Sequence, residues 1–311
     1  MGFTAQDVKR LREMTNVGMM DCKKALAATD GDMDKAVDYL RERGLAAAQK
    51  KASRIAAEGV VAAVVKGNVG AMIEVNSETD FVAKNEVFTT FVNDLAGVVA
   101  DDNPADIDAL LACKYPGSEL SVQETLQEKI LVIGENLKLR RFARYETGKT
   151  VAYVHMGGKI GVLVNMEVSD DIAGNDAVVE LGKDIAMQVA AMRPTFCDKS
   201  EVDQETLDKE REVLLAQAKM ENEQSAKPKP DAIIEKMVMG RIGKYYEENC
   251  LLQQAFVKEN KVSVEGHVAN VAKELGGSIK VLGFTRFEKG EGIEKKEDDF
   301  AAEVAAAAGL K

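Results

Sequence analysis

The chain has no tryptophan, two histidines and four cysteines among 311 residues. Each scarcity excludes something. His155 and His267 are too few for a histidine-built zinc or non-haem iron centre. Cys22, Cys113, Cys197 and Cys250 are far apart, so they form no Cys-x-x-Cys unit and no disulfide framework. They read as free thiols, mostly buried, in a reducing compartment. No run of eighteen apolar residues occurs, so no segment reads as membrane-spanning. The stretch from Met1 to Arg10 lacks the apolar core of a signal peptide. The expectation is a cytoplasmic protein. With a net charge of −11 and no long basic stripe, no direct nucleic-acid partner is expected. Aromatic residues are only 5%, and alanine is abundant, which favours helices with modest cores.

Catalytic patterns are missing as well. There is no Gly-x-Ser-x-Gly elbow, no His-Glu-x-x-His and no Gly-x-Gly-x-x-Gly after a strand. One segment, Ala143 to Thr150, loosely fits a phosphate-binding loop ending in Gly148-Lys149-Thr150. A working loop of that kind joins a strand to a helix, whose N-terminal N–H groups meet the phosphates. Here Thr150-Val151-Ala152-Tyr153-Val154 follows and reads as strand, so a tight turn is expected instead.

The pattern that is present divides the chain. Residues 4–44 read as three helices, with Val8, Leu11 and Thr15 on one face of the first. Met19 to Thr29 forms the second. Asp32 caps a third, which turns Ala36, Val37 and Leu40 inward and is expected to stop at Gly44. Residues 45–58 read as a helical connector. Period two then takes over: Gly59–Val65 and Ala71–Val75 read as strands around a turn. A polar loop to Asn85 follows, then a helix from Glu86 to Ala100, another from Val122 to Ile133, and a strand from Leu137 to Tyr145. The order recurs with strands Thr150–His155 and Gly161–Val168, a helix Asp176–Met192, and a closing strand Ile279–Phe287. The two closing strands align, with lysine, phenylalanine, arginine and glutamate coinciding between Leu137–Glu146 and Ile279–Glu288. Between them, Glu201–Glu223 and Asp231–Glu248 read as a helical hairpin around Lys227-Pro228-Lys229-Pro230. An alanine-rich helix is expected from Phe300 to Ala308.

The fold class is therefore α+β: an N-terminal three-helix domain, two related subdomains with small antiparallel sheets covered by helices, a hairpin insertion and a C-terminal helix. Expected boundaries are 1–54 for the helical domain and its connector, 55–146 and 147–289 for the subdomains, and 290–311 for a C-terminal module. The insertion spans about 201–248.

The informative loop is Ser77-Glu78-Thr79-Asp80-Phe81-Val82-Ala83-Lys84-Asn85, where a large ring sits in a polar run. Phe81 either tucks under its own loop or stands out for a partner's pocket. The matching loop of the second unit, Asp170 to Asn175, carries no aromatic, so the fold does not itself demand one. Met19 and Met20 are adjacent on a short helix and cannot both face one core.

At Thr79–Asn85 the chain resembles the elongation factor Ts family, and the resemblance covers nearly its whole length. Leu11-Arg12-Glu13-Met14-Thr15, Gly18-Met19-Met20-Asp21-Cys22-Lys23-Lys24-Ala25-Leu26, Ile133-Gly134-Glu135-Asn136, Lys236–Arg241 and Arg286–Gly292 are also similar to family motifs. It departs at Ala255, where the family pattern has proline, and at Asn16, where it has glycine. The resemblance implies a non-enzymatic guanine nucleotide exchange factor, without a cofactor or metal of its own. Its partner would be elongation factor Tu. The N-terminal domain, of ubiquitin-associated type, would dock through Arg12, Met19 and Met20. The loop of Thr79, Asp80, Phe81 and Val82 would disturb the partner's Mg²⁺ site, and the strand near His155 would hold another of its domains. A homodimer or a 2:2 complex is left open. A ubiquitin-type adaptor is the rival reading, and it would leave the duplicated subdomains unexplained. A P-loop enzyme using Lys149 is a second.

Overall fold

Three helices come first: α1 (Ala5–Thr15), α2 (Met19–Ala28) and α3 (Met33–Lys51). The computed structural model describes residues 2–15, 17–225 and 228–294. Asn16, Lys227 and the segment 300–308 expected as a helix lie outside the described residues. Val8, Leu11, Val17, Cys22, Leu26, Ala36 and Leu40 make the core of the three helices. Asp32 caps α3 by accepting the Lys35 N–H at 3.1 Å.

One expectation fails here: α3 does not stop at Gly44 but continues to Lys51. The glycine has a different use. A Cβ at position 44 would lie 3.2 Å from the carbonyl oxygen of Gln127, so its absence lets another helix approach closely.

The first sheet unit contains β1 (Glu58–Lys66), β2 (Val69–Ser77), α4 (Asp80–Ala83), α5 (Glu86–Asp102), α6 (Ile107–Ala112), α7 (Val122–Ile133) and β3 (Lys138–Tyr145). The second contains β4 (Lys149–His155), β5 (Ile160–Val168), α8 (Asp176–Met192), α9 (Gln204–Glu223), α10 (Asp231–Asn249), β6 (Ala255–Phe256), β7 (Glu259–Ser263), α11 (Val264–Leu275) and β8 (Ile279–Glu288). The sheets are antiparallel, in the orders β1-β2-β3 and β4-β5-β8. A small β6-β7 ladder accompanies the second.

The duplication extends to irregularities. Both central strands break register at the same place, between Glu74 and Val75 in β2 and between Asn165 and Met166 in β5. Both covering helices start on an asparagine cap, Asn85 to the Val87 N–H at 2.8 Å and Asn175 to the Ala177 N–H at 2.9 Å. Phe88, Phe91, Val92, Leu95 and Val99 of α5 bury against the first sheet, and Val178, Leu181, Ile185 and Val189 of α8 against the second. The remaining faces meet each other through Val61, Met72, Leu163 and Phe287. The hairpin α9–α10 is held by Ala218, Ile234 and Val238. The helix α9 starts at Gln204 rather than Glu201, because Asp203 accepts the Thr206 N–H at 2.7 Å and caps it.

The pseudo-phosphate loop is resolved by topology. Residues 146–148 join β3 to β4, strand to strand, with no helix following. Gly148 has φ +79°, and a Cβ there would lie 2.6 Å from the Met166 carbonyl oxygen, so the turn packs on protein backbone.

Candidate functional site

The loop after β2 is built to be stiff. Thr79 caps α4, its hydroxyl accepting the Val82 N–H at 3.4 Å. Glu135, just past α7, holds the other side: its carboxylate accepts the N–H groups of Glu78 and Thr79, each at 3.0 Å, and the Thr79 hydroxyl at 2.6 Å. Glu78 answers by accepting the Asn136 N–H at 2.6 Å, and the Asn136 side chain donates to the Arg54 carbonyl at 2.8 Å. These bonds cross more than fifty residues of sequence, so α4 is tied to the end of α7 and to the connector. Below it Ala83 is buried and Val82 packs on the first core.

On this clamped turn Phe81 is 81% exposed. A phenyl ring left in water forgoes roughly 1.5–3 kcal/mol of burial. The alternative in which the ring tucks under its loop is therefore not what the fold adopts. Asp80 beside it accepts from Lys84 Nζ at 2.7 Å. That bond, with the lysine charge, holds the Asp80 carboxyl below the usual aspartate range.

Asp80, Ala83 and Lys84 line one wall of a cleft of about 610 Å³. Glu58 and Gly59 of β1, Met156, Gly157 and Lys159 of the β4–β5 turn, and Lys289 complete it. A second cleft, of about 540 Å³, lies between Met14 and Thr15 at the end of α1 and Glu86, Val87 and Thr90 at the start of α5. The helical domain thus comes close to the residues that directly follow the Phe81 loop.

The other expected site residues fall in two places. Arg12, Met19 and Met20 are exposed around the α1–α2 junction, Met19 by 43% and Met20 by 63%. Neither methionine is needed by the core beneath, where Leu11, Cys22 and Leu26 are fully buried. His155 is half-buried at the end of β4, its Nδ1 2.8 Å from the Tyr153 hydroxyl. It does not line the Asp80 cleft; its neighbour Met156 does. Glu135, Met14, Val87 and Met156 were not singled out by sequence reasoning. Glu135 and Met14 left a signal, in the Gly134-Glu135-Asn136 and Leu11–Thr15 motifs; Val87 and Met156 left none.

Among the described residues no group of three or more His, Cys, Asp or Glu is arranged to hold a metal ion, and no helix is long and apolar enough to cross a membrane. What remains defines a class: a duplicated α+β protein that presents an aromatic ring on a clamped loop. The family model described as "Elongation factor TS" matches residues 78–291. Elongation factor Ts of Magnetococcus marinus is 52% identical over 307 residues, covering 98% of each chain. That of Trichlorobacter lovleyi is 48% identical over the whole of both chains, and that of Clostridioides difficile 52% identical over 97% of this chain and 98% of its own. The chain belongs to the elongation factor Ts family, a family of translation elongation factors.

Proposed function

We propose that the protein is a guanine nucleotide exchange factor for elongation factor Tu, and not a catalyst. It binds the GDP-loaded partner, disturbs the Mg²⁺ site and promotes GDP release, so that GTP can bind. Thr79, Asp80, Phe81 and Val82 form the wedge. Phe81 enters an apolar pocket of the partner, and Asp80 disturbs the groups that hold the ion. Arg12, Met19 and Met20 dock the N-terminal domain (1–54) on the nucleotide-binding domain. The subdomain 55–146 carries the wedge. The subdomain 147–289, near His155, engages another domain of the partner, and the module 290–311 returns to the first.

The observation that carries this reading is the 81% exposure of Phe81 on a loop held by three hydrogen bonds to Glu135. A rigid mount for an exposed ring limits the ordering cost of binding. The mechanism is a coupling between two sites: a factor that favours the empty partner is itself bound less well once nucleotide returns. Each 1.4 kcal/mol of that coupling changes nucleotide affinity about tenfold.

The test is release of fluorescent GDP from elongation factor Tu, followed by stopped flow. Wild type accelerates release and Phe81→Ala largely loses the effect while keeping its thermal midpoint. Equal acceleration by both proteins would move the mechanism away from Phe81. No acceleration by wild type with a matched partner would overturn the function.

A further inference from the structure

The two sheet units are copies, so what one has and the other lacks is informative. In the first unit the strands β1 and β2 are joined by two residues, Gly67 and Asn68. In the second, β4 and β5 are joined by four: Met156, Gly157, Gly158 and Lys159. The structural need of the longer turn is met by its glycine. The Gly158 carbonyl accepts the Val61 N–H at 2.8 Å, and a Cβ at 158 would lie 2.6 Å from Val60 Cγ1. Gly158 pins the second unit to the first.

Met156 has no such task. Its side chain is 68% exposed, and its φ is +49°, a left-handed conformation that an unbranched apolar residue adopts at a cost. Glycine or asparagine would suit that backbone better. An apolar side chain is thus held in water on a backbone that disfavours it, at a turn that is two residues shorter in the first unit. The first unit shows the converse pattern: Phe81 is in its loop, and the counterpart loop Asp170–Asn175 has no aromatic. The additions are on opposite copies, yet they converge. Met156 and Asp80, the residue before Phe81, line the same cleft.

From this convergence we infer that Met156 is a second apolar anchor for the partner that receives Phe81, and that the cleft lined by Met156 and Asp80 seats one continuous segment of it. This rests on the reading of the protein as an exchange factor, so the occupant is elongation factor Tu. The cleft wall favours an occupant with an acidic margin beside its apolar contact. Three lysines, Lys84, Lys159 and Lys289, line it beside two carboxylates, Asp80 and Glu58, and Lys84 and Lys289 are paired with those carboxylates at 2.7 and 2.5 Å.

Two substitutions test it, Met156→Gly and Met156→Asn, because both residues tolerate the left-handed backbone. The anchor role predicts full-length variants with the thermal midpoint of wild type or higher, and roughly ten- to hundredfold weaker binding to nucleotide-free elongation factor Tu by titration calorimetry. Binding at wild-type affinity overturns the inference while leaving the exchange function intact. A lowered midpoint in both variants, with weaker binding, shows that Met156 supports the fold and overturns it as well. If wild type itself neither binds the partner nor releases its GDP, the exchange reading fails, and the anchor falls with it.

Discussion

Glu135 and Thr79, separated by 56 positions in sequence, meet through two hydrogen bonds from one residue to one carboxylate: the Thr79 N–H at 3.0 Å and its hydroxyl at 2.6 Å. The exposed ring two residues further on owes its fixed position to this pair.

Replacing Glu135 by alanine is therefore expected to act at a distance. The Glu78 and Thr79 N–H groups lose their acceptor; bonds to a charged group contribute about 1.5–3 kcal/mol each, and water reaching this half-buried loop replaces part of what is lost. A net loss of about 1–3 kcal/mol is expected in urea unfolding. GDP release should slow even though Phe81 is intact. An unchanged release rate in a stable Glu135→Ala protein would mean that the loop needs no clamp.

Glu74 gives a second prediction, on pH. It is fully buried in β2 and accepts from the Gly290 N–H at 2.8 Å, Arg140 Nη1 at 2.9 Å and Arg141 Nε at 2.6 Å. Burial pushes its carboxyl up, but the Gly290 N–H and the two guanidinium groups outweigh it, and the net position is below the usual 4.5. A depressed folded-state pKa gives stability that is present above the unfolded value and lost as pH falls through the folded one. Acid unfolding should thus steepen below pH 4.5, and Glu74→Gln should flatten that limb. Glu74→Ala leaves two arginines without their buried partner and should cost about 3–5 kcal/mol at neutral pH. A Gln variant with the wild-type acid limb would remove Glu74 as its source.

The four thiols should separate by reactivity. Cys22, Cys197 and Cys250 are buried, and Cys113 is half-buried. Burial, with Glu201 and Asp198 nearby, pushes the Cys197 thiol up to about 12, so it carries almost no thiolate at neutral pH. A thiol reagent on the native protein should label Cys113 first, and all four only in denaturant. Fast native labelling of Cys197, read by peptide mass, would contradict its burial.

These predictions differ in how much of their basis was legible beforehand. Phe81 could be found because an apolar ring in Glu78-Thr79-Asp80-Phe81 breaks a local pattern, and its exposure was one of two stated alternatives. The helices α7 and α8 start and stop where caps and periodicity put them, at Val122–Ile133 and Asp176–Met192. The clamp could not be found this way, since a hydrogen bond between residues 79 and 135 leaves no periodic trace. Gly44 misled for a related reason. A glycine that ends a helix and a glycine that admits a neighbouring helix look the same until Gln127 is placed against it. Met156 is hidden because a methionine after a strand has no local mark of exposure. The helix α11 was missed although Val264, Val268 and Ala272 carry helical spacing, and they are buried on one face.

The packing of the two sheets on each other makes the last prediction. Gly161 of β5 faces the first sheet, where a Cβ would collide with Val61 Cγ1 and stand 2.7 Å from Met72 Sδ. Met72 is flexible and can yield, but Val61 is β-branched, fully buried and held to Gly158 through its N–H. Gly161→Ala should therefore separate the sheets locally and destabilise the protein by about 1–3 kcal/mol, the usual cost of overpacking a filled core. The compensating double variant Gly161→Ala with Val61→Ala removes the collision and should recover part of that loss. The same separation would move the Met156 turn away from Asp80, so exchange activity should follow stability in the single variant and return in the double one. A single variant as stable as wild type would show that this interface has slack the glycine does not need to provide.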